Sequence, residues 1–102
     1  MHLKDLAGVL PVEGTASRDL EVTGLSSDSR QVRPGVVFFA LAGSKADGST
    51  YAADAASRGA AAIVAGKGTA VSGLSIAVLA VDDPRHALAL SGHAWREARF
   101  QP

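Results

Sequence analysis

The chain has 102 residues, of which 47% are hydrophobic, and its ten basic and ten acidic side chains cancel. That length fits one compact domain, and the balanced, scattered charges exclude the basic surface expected of a protein that binds nucleic acid. Without cysteine the chain forms neither disulfides nor Cys-based metal sites, and without a long apolar run or a signal-peptide core it is predicted to be cytoplasmic and to stay out of the membrane.

The first half of the chain predicts one short helix followed by two strands. Apolar residues recur at near-helical spacing over residues 3–10, which predicts an opening helix that ends near the following proline. Residues 20–25 alternate between apolar and polar side chains, as in a strand with one buried face. Pro34 and Gly35 mark a turn, and the continuously apolar residues 36–41 then predict a fully buried strand.

A helix rich in alanine is predicted next. Thr50 is suited to cap its start, and Gly59 is suited to end it. Small side chains on its apolar face would let the helix lie close to a sheet. The predicted apolar positions are Ala52, Ala53, Ala56 and Ala60.

The last third of the chain continues the alternation of strand and helix. Short apolar runs predict strands over residues 61–65 and 76–81. Asp83 followed by Pro84 is typical of the start of a helix, which is then the last element. This order predicts an α/β fold in which residues 1–102 form a single compact domain, with a mixed or partly parallel sheet and flanking helices.

Neither a catalytic group nor a metal site is predicted. Gly66 and Lys67 lack the upstream glycine and the following Ser or Thr of a phosphate-binding loop, and no dinucleotide fingerprint is present. His86 and His93 are seven residues apart without a suitably spaced third ligand, so they are interpreted as part of a solvated helix surface. Ser29 has no evident general base that would make it a nucleophile.

Two polar loops follow the predicted strands of the first half. The first loop comprises residues 27–30 and the second loop residues 44–48. Ligands of open α/β sheets collect beyond the carboxyl ends of strands, and hydroxyls and amide donors suit uracil carbonyls and phosphate oxygens. Arg30 and Lys45 could balance the charge of a pyrophosphate. Asp and Ser in turns more often bond their own backbone, so the residues alone favour a structural role.

A spaced set of motifs covers most of the chain. It begins with GLSSDSRQVRPG at residues 24–35, and it closes with VDDPRHALA at residues 81–89. Between them stand Phe38, Ala40, Gly43, Asp47, Gly48 and the run GAAA at residues 59–62.

This set resembles the N-terminal domain of the Mur ligases. The closing run is more similar to the member that adds the third peptide residue than to the member that adds D-alanyl-D-alanine. Two positions depart from the family pattern, because Val36 stands where Asp is frequent and Ser49 stands where His is common.

The resemblance implies that this domain holds the UDP end of UDP-N-acetylmuramoyl-L-alanyl-D-glutamate. Asp28 and Arg30 are implied supports of the first loop, and Asp47 and Gly48 of the second. Asp28 is expected to bond backbone amides, whereas Arg30 is expected to pair either with Asp28 or with phosphate. The implied contacts to the UDP moiety are Ser27, Ser29, Ser44, Lys45 and Ala46.

In a full-length ligase the resemblance implies a central domain that binds ATP and Mg2+ and a C-terminal domain that takes the amino acid. Those two domains are the implied partners of this one. The chain has no ATP loop, so no cofactor and no ligase activity are expected of these residues alone. Whether diaminopimelate or lysine is added depends on the C-terminal domain, and a protein-interaction domain of the same fold is a further alternative.

Overall fold

A four-stranded sheet forms the centre of the domain. The computed structural model describes residues 2–6, 8, 10–11, 20–41, 48–66 and 76–100, with the backbone alone at 48–50 and 97–100. Every neighbouring pair of strands is parallel, which confirms the predicted α/β class and leaves the described sheet without an antiparallel member. The strands lie side by side in chain order as β1 (Gly24–Ser26), β2 (Val36–Ala40), β3 (Ala62–Gly66) and β4 (Ala77–Val81).

Helices cover both faces of the sheet. Because the strand order advances in one direction, right-handed crossovers place the connection from β1 to β2 and that from β2 to β3 on one face. On this face, helix α1 (Gly48–Ser57) packs against β2 and β3 and contacts the 3-10 helix Ser29–Gln31. Helix α2 (Pro84–Phe100) and the N-terminal 3-10 helix Leu3–Leu6 pack on the opposite face.

Strand β2 contributes to the core on both faces, which explains its unbroken apolar sequence. Phe39 is fully buried beneath α2 and the N-terminal 3-10 helix, together with Val37. Phe38 points the other way and packs with Ala52 and Ala55 of α1. Sheets that are covered on both sides require such continuous apolar runs, and the sequence predicted this strand correctly.

The N-terminal segment differs from the predicted opening helix. Within the described residues of this segment, Leu3–Leu6 forms a single 3-10 turn, and both of these leucines are fully buried. His2 forms an antiparallel bridge with Glu21, and the Leu3 N–H donates to the Leu20 carbonyl at 2.9 Å. The predicted strand of residues 20–25 is therefore divided, since its first part pairs with the N-terminus and regular pairing with β2 starts at Gly24.

Helix α1 begins two residues before the predicted cap at Thr50 and buries a different alanine face. Ala52 and Ala55 are fully buried, whereas Ala53 is exposed. The prediction that small side chains of this helix face the sheet is correct, although the alanines differ. Side chains of this size let the helix lie close to β2 and β3. Gly59 has a φ of +94° and follows the helix, as predicted.

Helix α2 starts at the predicted cap. The Asp83 carboxylate accepts hydrogen bonds from the backbone N–H groups of Arg85 at 3.0 Å and His86 at 3.3 Å. These bonds satisfy donors that the first turn of a helix leaves without intrahelical partners. His86 and His93 are exposed on α2. Within the described ranges, neither helix combines the length and apolarity needed to cross a bilayer.

Candidate functional site

The first loop lies at the carboxyl edge of the sheet, beside the start of α1. Strand β1 ends at Ser26 and its parallel neighbour β2 ends at Ala40, so both strands lead into the same edge. Helix α1 then returns toward the opposite edge, which places its first residue, Gly48, at the carboxyl edge. Helix α1 also contacts the 3-10 helix Ser29–Gln31, which contains the end of the first loop.

Two side chains hold the backbone of the first loop in place. The Ser26 hydroxyl accepts from the Asp28 N–H and donates to the Asp28 carbonyl, both at 3.0 Å. The Asp28 carboxylate accepts from the Arg30 N–H at 3.0 Å and so caps the 3-10 helix. These local bonds order the loop without a ligand, which lowers the entropy cost of binding one.

Arg30 pairs with Asp28 through two parallel contacts. Its Nε donates to Oδ1 and its second terminal nitrogen donates to Oδ2, each at 3.2 Å. Of the two partners open to Arg30 in the sequence, Asp28 is therefore the one engaged here. The Arg30 side chain is 80% exposed and the Asp28 side chain 40% exposed. Such a forked pair fixes the orientation of the guanidinium plane.

The pair shifts the ionisation of both partners. The side-chain hydrogen bonds from Arg30, followed by the bond from its backbone N–H, hold the pKa of Asp28 below its ordinary value of 3.8. The positive charge of Arg58, which follows the last residue of α1, acts in the same direction with a smaller effect. The bonds to Asp28 raise the pKa of Arg30, and the Tyr51 phenol adds a smaller electrostatic contribution.

Arg30→Ala is expected to raise the pKa of Asp28 toward 3.8, because the largest cause of the depression is removed. A carboxyl group whose pKa is lower in the folded chain than in the unfolded chain stabilises the fold at pH values above the unfolded-state pKa. This contribution is lost as the pH falls through the folded-state pKa. The variant should therefore lose less stability than the parent chain between about pH 4 and pH 2. Carbon-13 NMR titration of the Asp28 carboxyl measures the shift directly. Arg85→Ala, at the start of α2, should leave this titration unchanged.

The predicted contact residues differ in accessibility. Ser27 is exposed at the carboxyl edge, whereas Ser29 is only 5% exposed at the start of its 3-10 helix. Substitution of Ser27 therefore tests direct ligand contact better than substitution of Ser29 does. Of the second loop, Gly48 begins α1, and the remaining predicted residues lie outside the described part of the chain. Those residues are Ser44, Lys45, Ala46 and Asp47.

Tyr51 is a feature of this edge that the sequence analysis did not single out. It lies in the first half of α1, three residues after Gly48, and is 43% exposed. Its neighbours Ala52 and Ala55 are fully buried against the sheet. A lone aromatic residue in a helix made otherwise of small and polar residues was the available signal in the sequence.

Comparison with known proteins places this architecture in a family. The family described as "Mur ligase family, catalytic domain" matches residues 21–95, which include the first loop, the sheet and most of α2. The chain belongs to the Mur ligase family. This confirms the resemblance carried by the spaced motifs.

Similar Mur ligases match most of this chain but extend far beyond it. One from Mesorhizobium japonicum is 78% identical over 91 residues, which are 89% of this chain and 19% of that protein. Those from Chelativorans sp. and Brucella melitensis are 53% and 50% identical with the same coverage. All three are named UDP-N-acetylmuramoyl-L-alanyl-D-glutamate--2,6-diaminopimelate ligase. The chain thus spans about a fifth of their length, and the names agree with the third-residue member predicted from the closing run.

Proposed function

We propose that this chain binds the UDP moiety of UDP-N-acetylmuramoyl-L-alanyl-D-glutamate as the N-terminal domain of a longer Mur ligase. The observation that carries the proposal is the position of the first loop at the carboxyl edge, in a chain 78% identical to a ligase named for this substrate. Ser27 offers an exposed hydroxyl there, and Ser26 and Asp28 hold the loop backbone in one conformation. Ser44, Lys45 and Ala46 complete the proposed contacts.

In the longer protein, we assign ATP and Mg2+ to the central domain, because this sequence has no phosphate-binding loop. That ligase joins an amino acid to the D-glutamyl carboxylate in the cytoplasm. The names of the relatives specify 2,6-diaminopimelate as that amino acid, and we propose the same for this protein. Binding the distant UDP group orients the reacting carboxylate, so this domain contributes to the rate through position, and alone it performs no ligation.

An NMR titration of the nitrogen-15-labelled chain tests the proposal. Addition of UDP-N-acetylmuramoyl-L-alanyl-D-glutamate should shift the amides of residues 27–30 and Gly48 in a saturable way, and UDP should shift the same amides. AMP should not. Binding in the roughly millimolar range is expected, since only one domain of the ligase is present.

Ser27→Ala should weaken UDP binding about threefold to tenfold, because one hydrogen bond to the ligand is lost. Ser57→Ala, at the far end of α1, is the matched control and should bind as the parent chain does. Amides of the first loop that stay unshifted at several millimolar UDP would contradict the proposal.

A further inference from the structure

Strand β4 has the sequence of a strand buried on both faces, but only one of its faces is covered. Strand β2 is continuously apolar in the same way, and all five of its residues are buried. In β4 only Leu79 is buried, whereas Val78 is 37% exposed and Ala80 is also exposed. Parallel sheets normally have both faces covered, and their continuously apolar strands reflect this. The sequence of β4 therefore predicts a cover that the fold of one chain does not supply.

The open face of β4 is the face on which α1 packs. Leu79 belongs to the core beneath α2, and Ala77 and Val81 pack against that core. Because side chains alternate along a strand, Val78 and Ala80 lie on the opposite face. On that face α1 packs against β2 and β3 and leaves these two side chains exposed. An apolar strip of β4 thus lies open to solvent beside α1.

Strand β4 also forms one edge of the described sheet. All five of its residues pair with β3, and no described strand pairs with its other edge. Natural edge strands usually carry a charge, a proline or a bulge, which discourages pairing with another chain. Residues 77–81 contain neither charge nor proline, and their register with β3 has no bulge. We propose that this edge pairs, in the antiparallel direction, with the β4 edge of a second copy of the chain.

The sequence of β4 is complementary to itself in this arrangement. When Leu79 lies opposite Leu79 of the second copy, Val78 lies opposite Ala80 of the second copy on the open face. Ala77 lies opposite Val81 in the same way. A large side chain thus meets a small one on both sides of the central leucine, and directly opposite side chains are the pairs that stabilise antiparallel strands. The two-fold symmetry closes the assembly, because each copy uses its single β4 edge.

The charges of the chain permit the pairing. Ten basic and ten acidic side chains cancel, so two copies do not repel each other at long range. Asp82 follows the strand, and in this register it lies opposite Ile76 of the second copy. The two Asp82 carboxylates are then about 20 Å apart, since the length of strand from Ile76 to Asp82 separates them. Salt in the medium screens charges at that distance.

The position of α2 favours a second copy over the remainder of a longer ligase as the partner. Helix α2 begins at Pro84, directly after β4, and packs on the opposite face against β1, β2 and β3. The chain beyond Phe100 therefore begins on the face that α2 covers, and not beside the open face of β4. A second copy needs no such connection.

Sedimentation equilibrium of this chain measures the association. The dissociation constant should be about 0.1–1 mM, because one paired strand covers less surface than a stable interface does. The average mass should rise from 10.3 kDa toward twice that value as the chain concentration increases from about 0.05 to about 2 mM. A change in salt from about 0.05 to about 0.5 M should alter the constant by less than about twofold, since the paired residues carry no charge.

Val78→Lys should weaken the association about tenfold or more, because pairing would remove water from a charged side chain. Val78 is already partly exposed, so circular dichroism should show the fold of the parent chain. Val78→Thr keeps the branched shape and should weaken the association about threefold, which remains measurable if the lysine variant does not fold. Leu90→Lys is the matched control. Leu90 is 40% exposed on α2, and its replacement should leave the dissociation constant unchanged.

NMR locates the contact. Higher chain concentration should slow hydrogen exchange at amides of residues 77–81 that do not bond to β3, and it should leave exchange in α2 unchanged. In a mixture of differently labelled copies, the Val78 methyl groups should show nuclear Overhauser effects to the Ala80 methyl of the second copy. A chain that stays monomeric at about 2 mM would overturn the proposal. Association that survives Val78→Lys but is lost in Leu90→Lys would also overturn it, because the contact would then lie on α2.

Discussion

Phe39→Ala is expected to remove most of the folded population of this chain. Phe39 is fully buried in the central strand β2, where it packs beneath α2 and the N-terminal 3-10 helix. Truncation of a buried phenylalanine costs about 3–5 kcal/mol, through lost transfer free energy and the cavity that remains. Small native domains are stable by about 5 kcal/mol, so this single change consumes nearly the whole free energy of unfolding.

Urea unfolding followed by circular dichroism measures this effect. Phe39→Leu keeps most of the volume and should cost about 1–2 kcal/mol, which remains measurable if the alanine variant does not fold. Leu20→Ala is the control, since Leu20 is 47% exposed and its truncation should change stability by less than about 0.5 kcal/mol. A loss below about 1 kcal/mol for Phe39→Ala would mean that the core beneath α2 is not packed as described.

Gly35→Ala is expected to destabilise the chain by about 3 kcal/mol, from backbone strain and a steric clash. Gly35 has a φ of +92°, a conformation that residues with a Cβ rarely adopt. A Cβ at this position would lie 2.8 Å from both Cγ2 and Oγ1 of Thr23. Thr23 cannot move freely, because its hydroxyl donates to the Pro34 carbonyl at 2.8 Å.

The backbone of Gly35 also joins three segments, which adds to the expected loss. Its carbonyl accepts from the Thr23 N–H and its N–H donates to the Gly59 carbonyl, each at 3.0 Å. Gly92→Ala is the matched control. Gly92 lies inside α2, where a Cβ would meet no atom within 4 Å beyond the adjoining helix backbone, so alanine there should stabilise the chain by about 1 kcal/mol. Equal effects at the two glycines in chemical denaturation would contradict the strain argument.

Local patterns in the sequence were sufficient for most elements of the fold. The apolar run of β2 and the Asp83-Pro84 start of α2 are correct because burial on both faces and helix capping depend on nearby residues. The predictions of the opening helix and of the cap at Thr50 are wrong in detail, because these boundaries do not depend on nearby residues alone. Leu3 bonds to Leu20, seventeen positions away in the chain, and such a contact is not visible in the local pattern of residues 3–10.

The sequence predicted where the first loop lies, but it did not predict how the side chains of that loop are arranged. The motif around residues 27–30 identified the first loop, and the rule for parallel sheets predicted its edge. The sequence left two partners open for Arg30, and only the fold showed its guanidinium aligned with Asp28. Tyr51 was missed because its exposure depends on which alanine face of α1 meets the sheet.

By itself, the sequence determined the class of fold, the family and the location of the first loop. These properties follow from patterns of burial, capping and motif spacing, which are local along the chain. Only the tertiary structure decided the direction of all four strands and which alanine face of α1 meets the sheet. Both depend on contacts between segments that are distant in sequence, because strand pairing and the packing of α1 on the sheet join residues far apart in the chain.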